Sequence, residues 1–395
     1  MRRFSFKQKF TACLAIIVIL LVYLYLRPVP VVTAVSTLPI PPKTAGVALS
    51  WPVGGQAALG AQGYGLLAEH NDTTPLPIAS VAKVITALAV LQQKPLTPGS
   101  QGPTITLDNT DVDYFNYYYK NDGSVSQVQA GEKITEYQAL EAMLIPSSNN
   151  MADSLARWAF GSIDNYLTYA NHMVQNMGLT RTTVGSTNGF ADKTDSTAGD
   201  VVDLGLKAMQ NPVIAQIVAQ PTATIPVEGT VQNVNYLLGS DGVVGIKTGN
   251  TDKAGGCYLF ASQQQILGQK TILIGAILGA KDLASAISAA QPMIAGAISG
   301  FEKVKIASQN QSVGYYKAPW GSTAQLKPSR DLSLIAWKGA DIKVTDNFAP
   351  ARTPQSAGTH LGSIKVQNGQ KSLSVPLVLT QKLSSPSWWW RITRH

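Results

Sequence analysis

Cysteine is nearly missing from this 395-residue chain, which has only Cys13 and Cys257. One lies in an uncharged apolar run and the other in a strand candidate, so a disulfide framework is excluded and both read as packing residues. The four histidines, His70, His172, His360 and His395, fall into no short metal-binding spacing, and neither H-E-x-x-H nor C-x-x-C occurs. Nothing in the chain asks for a metal or another cofactor. Charge is sparse as well, at 14% of residues. Of the formal +8, seven units belong to Arg2, Arg3, Lys7, Lys9, Arg27, Arg391 and Arg394 at the two ends, which leaves about +1 for everything between. Nucleic-acid binding therefore loses its main electrostatic support. No internal repeat is present, and the length is enough to bury a core without covalent staples.

What is present begins with Thr11 to Leu26, TACLAIIVILLVYLYL, 16 residues without a charge. As a helix this run spans about 24 Å at about 1.5 Å per residue, near the minimum for crossing a bilayer. The cationic residues before it favour an inside N-terminus, so everything after Pro28 is expected outside the membrane. A cleaved signal peptide is the competing reading. No Ala-x-Ala site is found, only the weaker Ala34-Val35-Ser36, and a retained anchor is the preferred expectation.

Composition then suggests five segments. Residues 1–27 form the basic segment and anchor, and residues 28–45, with five prolines, an extended linker. Residues 46–302 read as the main domain, 303–383 as a small β-rich domain of alternating strands and turns, and 384–395 as a Trp/Arg tail suited to a membrane interface. Within the main domain, 109–128 reads as a polar, Tyr-rich loop and 134–159 as helical, interrupted at IPSSNN. Short strands are expected over 47–51 and 55–60, and further helices over 162–178 and 198–210. The runs DGVVGIKTG, CYLFAS and TILIGAILGA read as strands, followed by an Ala-rich helix from about Asp282 to Phe301. The expected fold is α/β (α+β): an antiparallel sheet covered by helices, plus the C-terminal all-β domain.

The segment PIASVAKVITALAVL, 77–91, is apolar all round except for Ser80, Lys83 and Thr86, which recur at intervals of three and so share one stripe of a buried helix. A buried lysine is costly unless paired or used, so something polar must face this stripe. Two more short motifs follow in order: Ser147-Ser148-Asn149 in a turn between helices, and Lys247-Thr248-Gly249 on an apolar strand. S-x-x-K, S-x-N and K-T-G in that order are the signature set of serine penicillin-recognising enzymes. Ser186-Thr187-Asn188 also reads S-x-N, but its Gly189-Phe190 and polar setting read as a plain turn.

On these residues the chain resembles the low-molecular-mass penicillin-binding proteins that act as serine-type D-alanyl-D-alanine carboxypeptidases. The likeness covers about residues 46–302, through PIASVAKVITAL, EAMLIPSSNNMADSLA, NGF with STAGD, and GIKTGNTDKAGGC. Ser148 stands where glycine is more usual and Asn150 where aspartate is frequent. The resemblance implies Ser80 as nucleophile, Lys83 as general base, Ser147 as proton relay and Asn149 as the group orienting Lys83. Lys247, Thr248, Gly249 and Asn250 would bind substrate, with the backbone N–H groups of Ser80 and Asn250 as oxyanion hole. It further implies a peptidoglycan stem peptide ending in D-Ala-D-Ala as substrate, β-lactams as covalent inhibitors, and a bacterial cell membrane location with the catalytic domain exocytoplasmic.

Each residue also has a bland reading: Ser147 as a helix cap, Asn149 as a turn residue, Lys247 as a solvated strand end. Two other functions compete. A class A-like β-lactamase would need an E-x-x-L-N type segment between Ser147 and Lys247, which is not found, and would have no use for the β domain. A non-catalytic penicillin-binding wall protein would be expected to have lost one of these residues.

Overall fold

The computed structural model describes residues 5–38, 40–41, 45–191 and 193–394. Arg2, Arg3 and His395, and linker residues 39 and 42–44, lie outside the described residues. The chain divides into two compact units, Ala45–Glu302 and a second built from Met1–Thr44 with Lys303–His395.

In the larger unit five antiparallel strands stand in the order Val243–Thr251, Gly255–Ile266, Gln269–Ala280, Gln56–Ala61, Gly65–His70. Side-chain alternation gives this sheet two buried faces. The Ala198–Ala208 helix lies on one face so closely that a Cβ on Gly205 would stand 2.7 Å from Ile274 and 2.8 Å from Leu259. The Leu283–Ser299 helix packs on the same strands and continues through Pro292. A second group of helices, Glu136–Leu144, Asn149–Phe160 and Ile163–Asn176, packs around the Ala82–Gln93 helix, and the Asn109–Lys120 helix packs on Asn149–Phe160. Every residue from Ala82 to Leu91 in that helix is buried, as its uniform apolarity demands.

Two local expectations fail within this unit. The stretch read as a Tyr-rich loop holds a helix, Asn109–Lys120, started by a capping box in which Asp108 and Asp111 each accept the other's backbone N–H. The capping signal outweighs the weak propensity of its aromatic residues. Residues 47–51, read as a strand, form none.

In the smaller unit a six-stranded sheet closes over Leu326, Ile364, Val366, Val375 and Leu377. One edge strand is Ala34–Ser36, paired antiparallel with Gly314–Lys317, and the backbones of Val32 and Ala351 exchange hydrogen bonds at 2.9 and 2.8 Å. Part of the segment read as linker is thus sheet, because Val31, Val32, Thr33 and Val35 supply β-formers between the prolines. The apolar N-terminal helix is also longer than its uncharged run, Phe6–Leu26 with Ser5 as capping residue, and of its 21 residues only Leu24 is even half-buried. The tail forms a short helix, Trp388–Thr393. Trp390 packs edge-on against Trp320 with centroids 5.1 Å apart, while Trp388 and Trp389 stay exposed.

Candidate active site

Ser80 sits in a 3-10 turn, Ala79–Val81, that runs directly into the buried helix, so its hydroxyl lies beside the positive end of the helix dipole. Ala79 adopts a positive φ of 45° to make that turn. One helical turn on, Lys83 is fully buried, with Nζ 2.8 Å from Ser80 Oγ, 2.7 Å from Asn149 Oδ1 and 3.2 Å from the Asn188 carbonyl oxygen. The polar stripe inferred from spacing is therefore fully engaged. Its third member, Thr86, meets the Tyr166 hydroxyl and donates to the Thr187 carbonyl.

The partners of Lys83 are neutral oxygens, so no contact compensates burial of a charge. Burial, followed by the field of Lys247, holds the Lys83 ammonium well below the usual lysine range, and Asp153 acts in the opposite sense. A neutral amine has two N–H groups and one lone pair. Two acceptors, Asn149 Oδ1 and the Asn188 carbonyl, match the two donors and leave the lone pair for the Ser80 hydroxyl proton.

The turn carrying Ser147 and Asn149 joins the Glu136–Leu144 and Asn149–Phe160 helices. Ser147 has φ of 70°, an uncommon left-handed backbone for a residue with a side chain. A neighbouring loop clamps the turn: Asn149 N donates to the Ser124 carbonyl at 2.8 Å, and the hydroxyls of Ser148 and Ser126 lie 2.6 Å apart. Asn150 accepts from Ser126 N at 3.0 Å and donates to the Ser126 carbonyl at 2.9 Å. The two departures from the usual middle motif, Ser148 and Asn150, thus face the interior, where both are completely buried.

The third motif lies on the edge strand Val243–Thr251, alongside the Ser80 turn. A Cβ on Gly249 would stand 2.8 Å from Ser80 N and 2.9 Å from Ala79 Cβ, so glycine is what leaves that nitrogen unobstructed by the edge strand. Lys247 is buried, donates to the Thr248 carbonyl at 3.0 Å, and is brought down to about 7 by burial. Thr248 is buried, whereas Asn250 is exposed at the strand end.

One assignment needs correction. Thr187 and Asn188, read as part of a plain turn, are 1% exposed, and Asn188 supplies a direct acceptor to Lys83. The turn is held against the Ser80 segment because Gly189, at φ of 77°, lies so close that a Cβ there would be 1.9 Å from the Ala79 carbonyl oxygen. The polar stripe Ser80, Lys83 and Thr86 was the signal for such a partner, but spacing alone does not say which loop supplies it.

Comparison with known proteins points the same way. The sequence pattern of the D-alanyl-D-alanine carboxypeptidases matches residues 59–282. A D-alanyl-D-alanine carboxypeptidase of Streptomyces sp. (strain K15) is 28% identical over 58% of this chain and 81% of its own length. The D-alanyl-D-alanine carboxypeptidase DacA of Escherichia coli (strain K12) is 25% identical over 83% of this chain and 82% of its own. The crystal structure of DacD from Francisella tularensis shares the fold, with a TM-score of 0.61 at 18% identity over 88% of this chain and 97% of that one.

Proposed function

The chain belongs to the D-alanyl-D-alanine carboxypeptidase family, and on that premise we propose a residue-by-residue mechanism for its serine hydrolase activity. The protein is a penicillin-binding serine peptidase that removes the terminal D-alanine from peptidoglycan stem peptides. Ser80 is the nucleophile and neutral Lys83 the base. The observation that carries this reading is the position of Lys83 Nζ, 2.8 Å from Ser80 Oγ and buried among neutral acceptors.

Ser80 Oγ attacks the carbonyl carbon of the penultimate D-alanine as its proton passes to Lys83. The developing oxyanion is met by the backbone N–H groups of Ser80 and Asn250, each such donor being worth a factor of about 10² to 10³. Collapse breaks the peptide bond, and the proton returns through Ser147 to the amine of the leaving D-alanine. Water then attacks acyl-Ser80, giving the shortened peptide and free Ser80. Lys247, as ammonium, and the Thr248 hydroxyl bind the substrate's terminal carboxylate, while Gly249 and Asn250 border the peptide along the strand edge. A β-lactam acylates Ser80 in the same way, but its leaving nitrogen stays tethered to the acyl group.

The Phe6–Leu26 helix acts as a retained anchor that keeps the catalytic unit on the outer side of the membrane. Support comes from Val32 and Ala34–Ser36, whose backbone bonds complete the β sheet of the smaller unit. Cleavage at Ala34-Val35-Ser36 would remove that strand. N-terminal sequencing of the mature protein tests this: an N-terminus beyond Ser36 contradicts it. For the catalytic reading, Ser80→Ala should lose both labelling by a fluorescent penicillin and D-alanine release from a diacyl-Lys-D-Ala-D-Ala peptide, and full activity in that variant contradicts it.

A further inference from the structure

Behind Lys83 lies a buried carboxylate to which the mechanism above gives no part. Asp153, on the Asn149–Phe160 helix one turn after Asn149, is 9% exposed. Its Oδ2 accepts the Tyr118 hydroxyl at 2.7 Å and its Oδ1 accepts the Thr187 hydroxyl. Asn188 Nδ2 donates to Tyr118 Oη at 2.7 Å and lies 3.4 Å from the Asn149 carbonyl oxygen and 3.5 Å from Asp153 Oδ1. Tyr118 therefore donates to Asp153 and accepts from Asn188. The chain of contacts ends at the Asn188 carbonyl, which takes a hydrogen bond from Lys83.

We propose that Asp153 is a positioning residue for acylation: by gripping Tyr118 and Thr187 it fixes the 186–190 turn, so that the Asn188 carbonyl sets the Lys83 amine against Ser80. The proposal rests on the Ser80–Lys83 pair being the reacting one. A carboxylate is suited to this task because it accepts from both hydroxyls at once and leaves each donor in a single orientation. An amide would have to turn its nitrogen toward one of them.

The same carboxylate acts on Lys83 through its charge. The ionisable groups around the pair are Lys83 on its helix, Lys247 on the edge strand, Tyr166 on the Ile163–Asn176 helix, and Tyr114, Tyr118 and Asp111 on the Asn109–Lys120 helix. Arg157, on Asp153's own helix, is engaged by Asp108 at 3.0 Å and Asp111 at 2.7 Å. Lys247 and Asp153 are thus the two charges that act on Lys83, with opposite signs. Removing the negative one disfavours the ammonium, so Lys83 sheds its proton at lower pH.

The test measures, in the full-length protein, the pH dependence of the acylation rate by a fluorescent penicillin for wild type, Asp153→Asn, Thr187→Val and Tyr118→Phe, alongside melting temperatures. Asp153→Asn should slow acylation on the order of tenfold and move the acidic limb of the profile to lower pH. Thr187→Val and Tyr118→Phe keep the charge, so they should slow acylation and leave the limb in place. An Asp153→Asn protein with an unmoved limb, or with the wild-type rate, overturns the proposal. Should Asp153→Asn fail to fold, folded Thr187→Val and Tyr118→Phe proteins that acylate at the wild-type rate overturn it equally. Failure of the underlying mechanism reads out separately, as penicillin labelling that survives Ser80→Ala.

Discussion

The backbone carbonyl of Asn188 accepts a hydrogen bond from Lys83 Nζ at 3.2 Å across 105 residues of sequence. With Asn149 Oδ1 at 2.7 Å it satisfies both N–H groups of a neutral lysine, and so fixes where the lone pair points. Lys83 Nζ is therefore held from two segments, the start of the Asn149–Phe160 helix 66 residues on and the 186–190 turn 105 residues on.

The pH profile should show two lysines working in opposite protonation states. Lys83 acts as base only when neutral, so kcat/KM for D-alanine release rises as the pH climbs through its lowered value. In the proposed mechanism Lys247 binds the substrate carboxylate as a cation, and burial brings it to about 7, so the profile should fall above about 7. Lys247→Arg keeps its charge across this range. It should abolish the alkaline limb even if the rate drops, and a limb unchanged in that variant contradicts the assignment.

Gly249→Ala tests the close approach of the edge strand to the nucleophile turn. Its Cβ would lie 2.8 Å from Ser80 N. The expected result is loss of about 10² to 10³ in acylation rate, the usual worth of one oxyanion donor, together with a lowered melting temperature, because the backbone of the Ser80 turn must shift to admit the methyl group. Near-normal acylation would show that this nitrogen does not serve the reaction.

Asn150→Asp probes the departure from the usual middle motif. An aspartate can still accept from Ser126 N, but it cannot donate to the buried Ser126 carbonyl, which Asn150 reaches at 2.9 Å. Leaving that oxygen unsatisfied costs about 1–3 kcal/mol. Denaturant unfolding should show a loss of that size, and equal stability of the two proteins would mean that the amide donor is dispensable.

Glu136 offers a stability test remote from the catalytic residues. It is completely buried, neither carboxylate oxygen has a hydrogen-bond partner among the described residues, and burial raises it from 4.5 to about 7 against the pull of Lys94. The folded value lies above the unfolded one, so the fold holds this proton more tightly, and stability falls as pH rises from about 4.5 through about 7. Glu136→Gln should therefore raise the melting temperature at pH 8 relative to wild type, with the gain shrinking at pH 5. A gain that is the same at both values contradicts the role of ionisation.

Much of this could be read from the residues. The uniformly apolar helix around Lys83 and the K-T-G strand end gave their surroundings directly, since burial of a lysine demands polar neighbours and a glycine among β-formers marks close approach. The Asn109–Lys120 helix was hidden because its start depends on reciprocal Asp108–Asp111 capping, while its tyrosines suggest irregular structure. The part played by Asn188 was hidden for a different reason. It acts on Lys83 through a backbone carbonyl, and every residue type carries that group. Ala34–Ser36 joins a sheet whose other strands come from the far end of the chain, and local composition carries no trace of such pairing.

The most direct test of the account is mass spectrometry of the protein after brief exposure to a penicillin, with proteolytic mapping of the adduct. The account predicts one penicilloyl group, on Ser80, and none when Lys83 is replaced by alanine and the exposure is kept equally brief. An adduct on Ser147 or elsewhere, or acylation of Ser80 at the wild-type rate without Lys83, would contradict it.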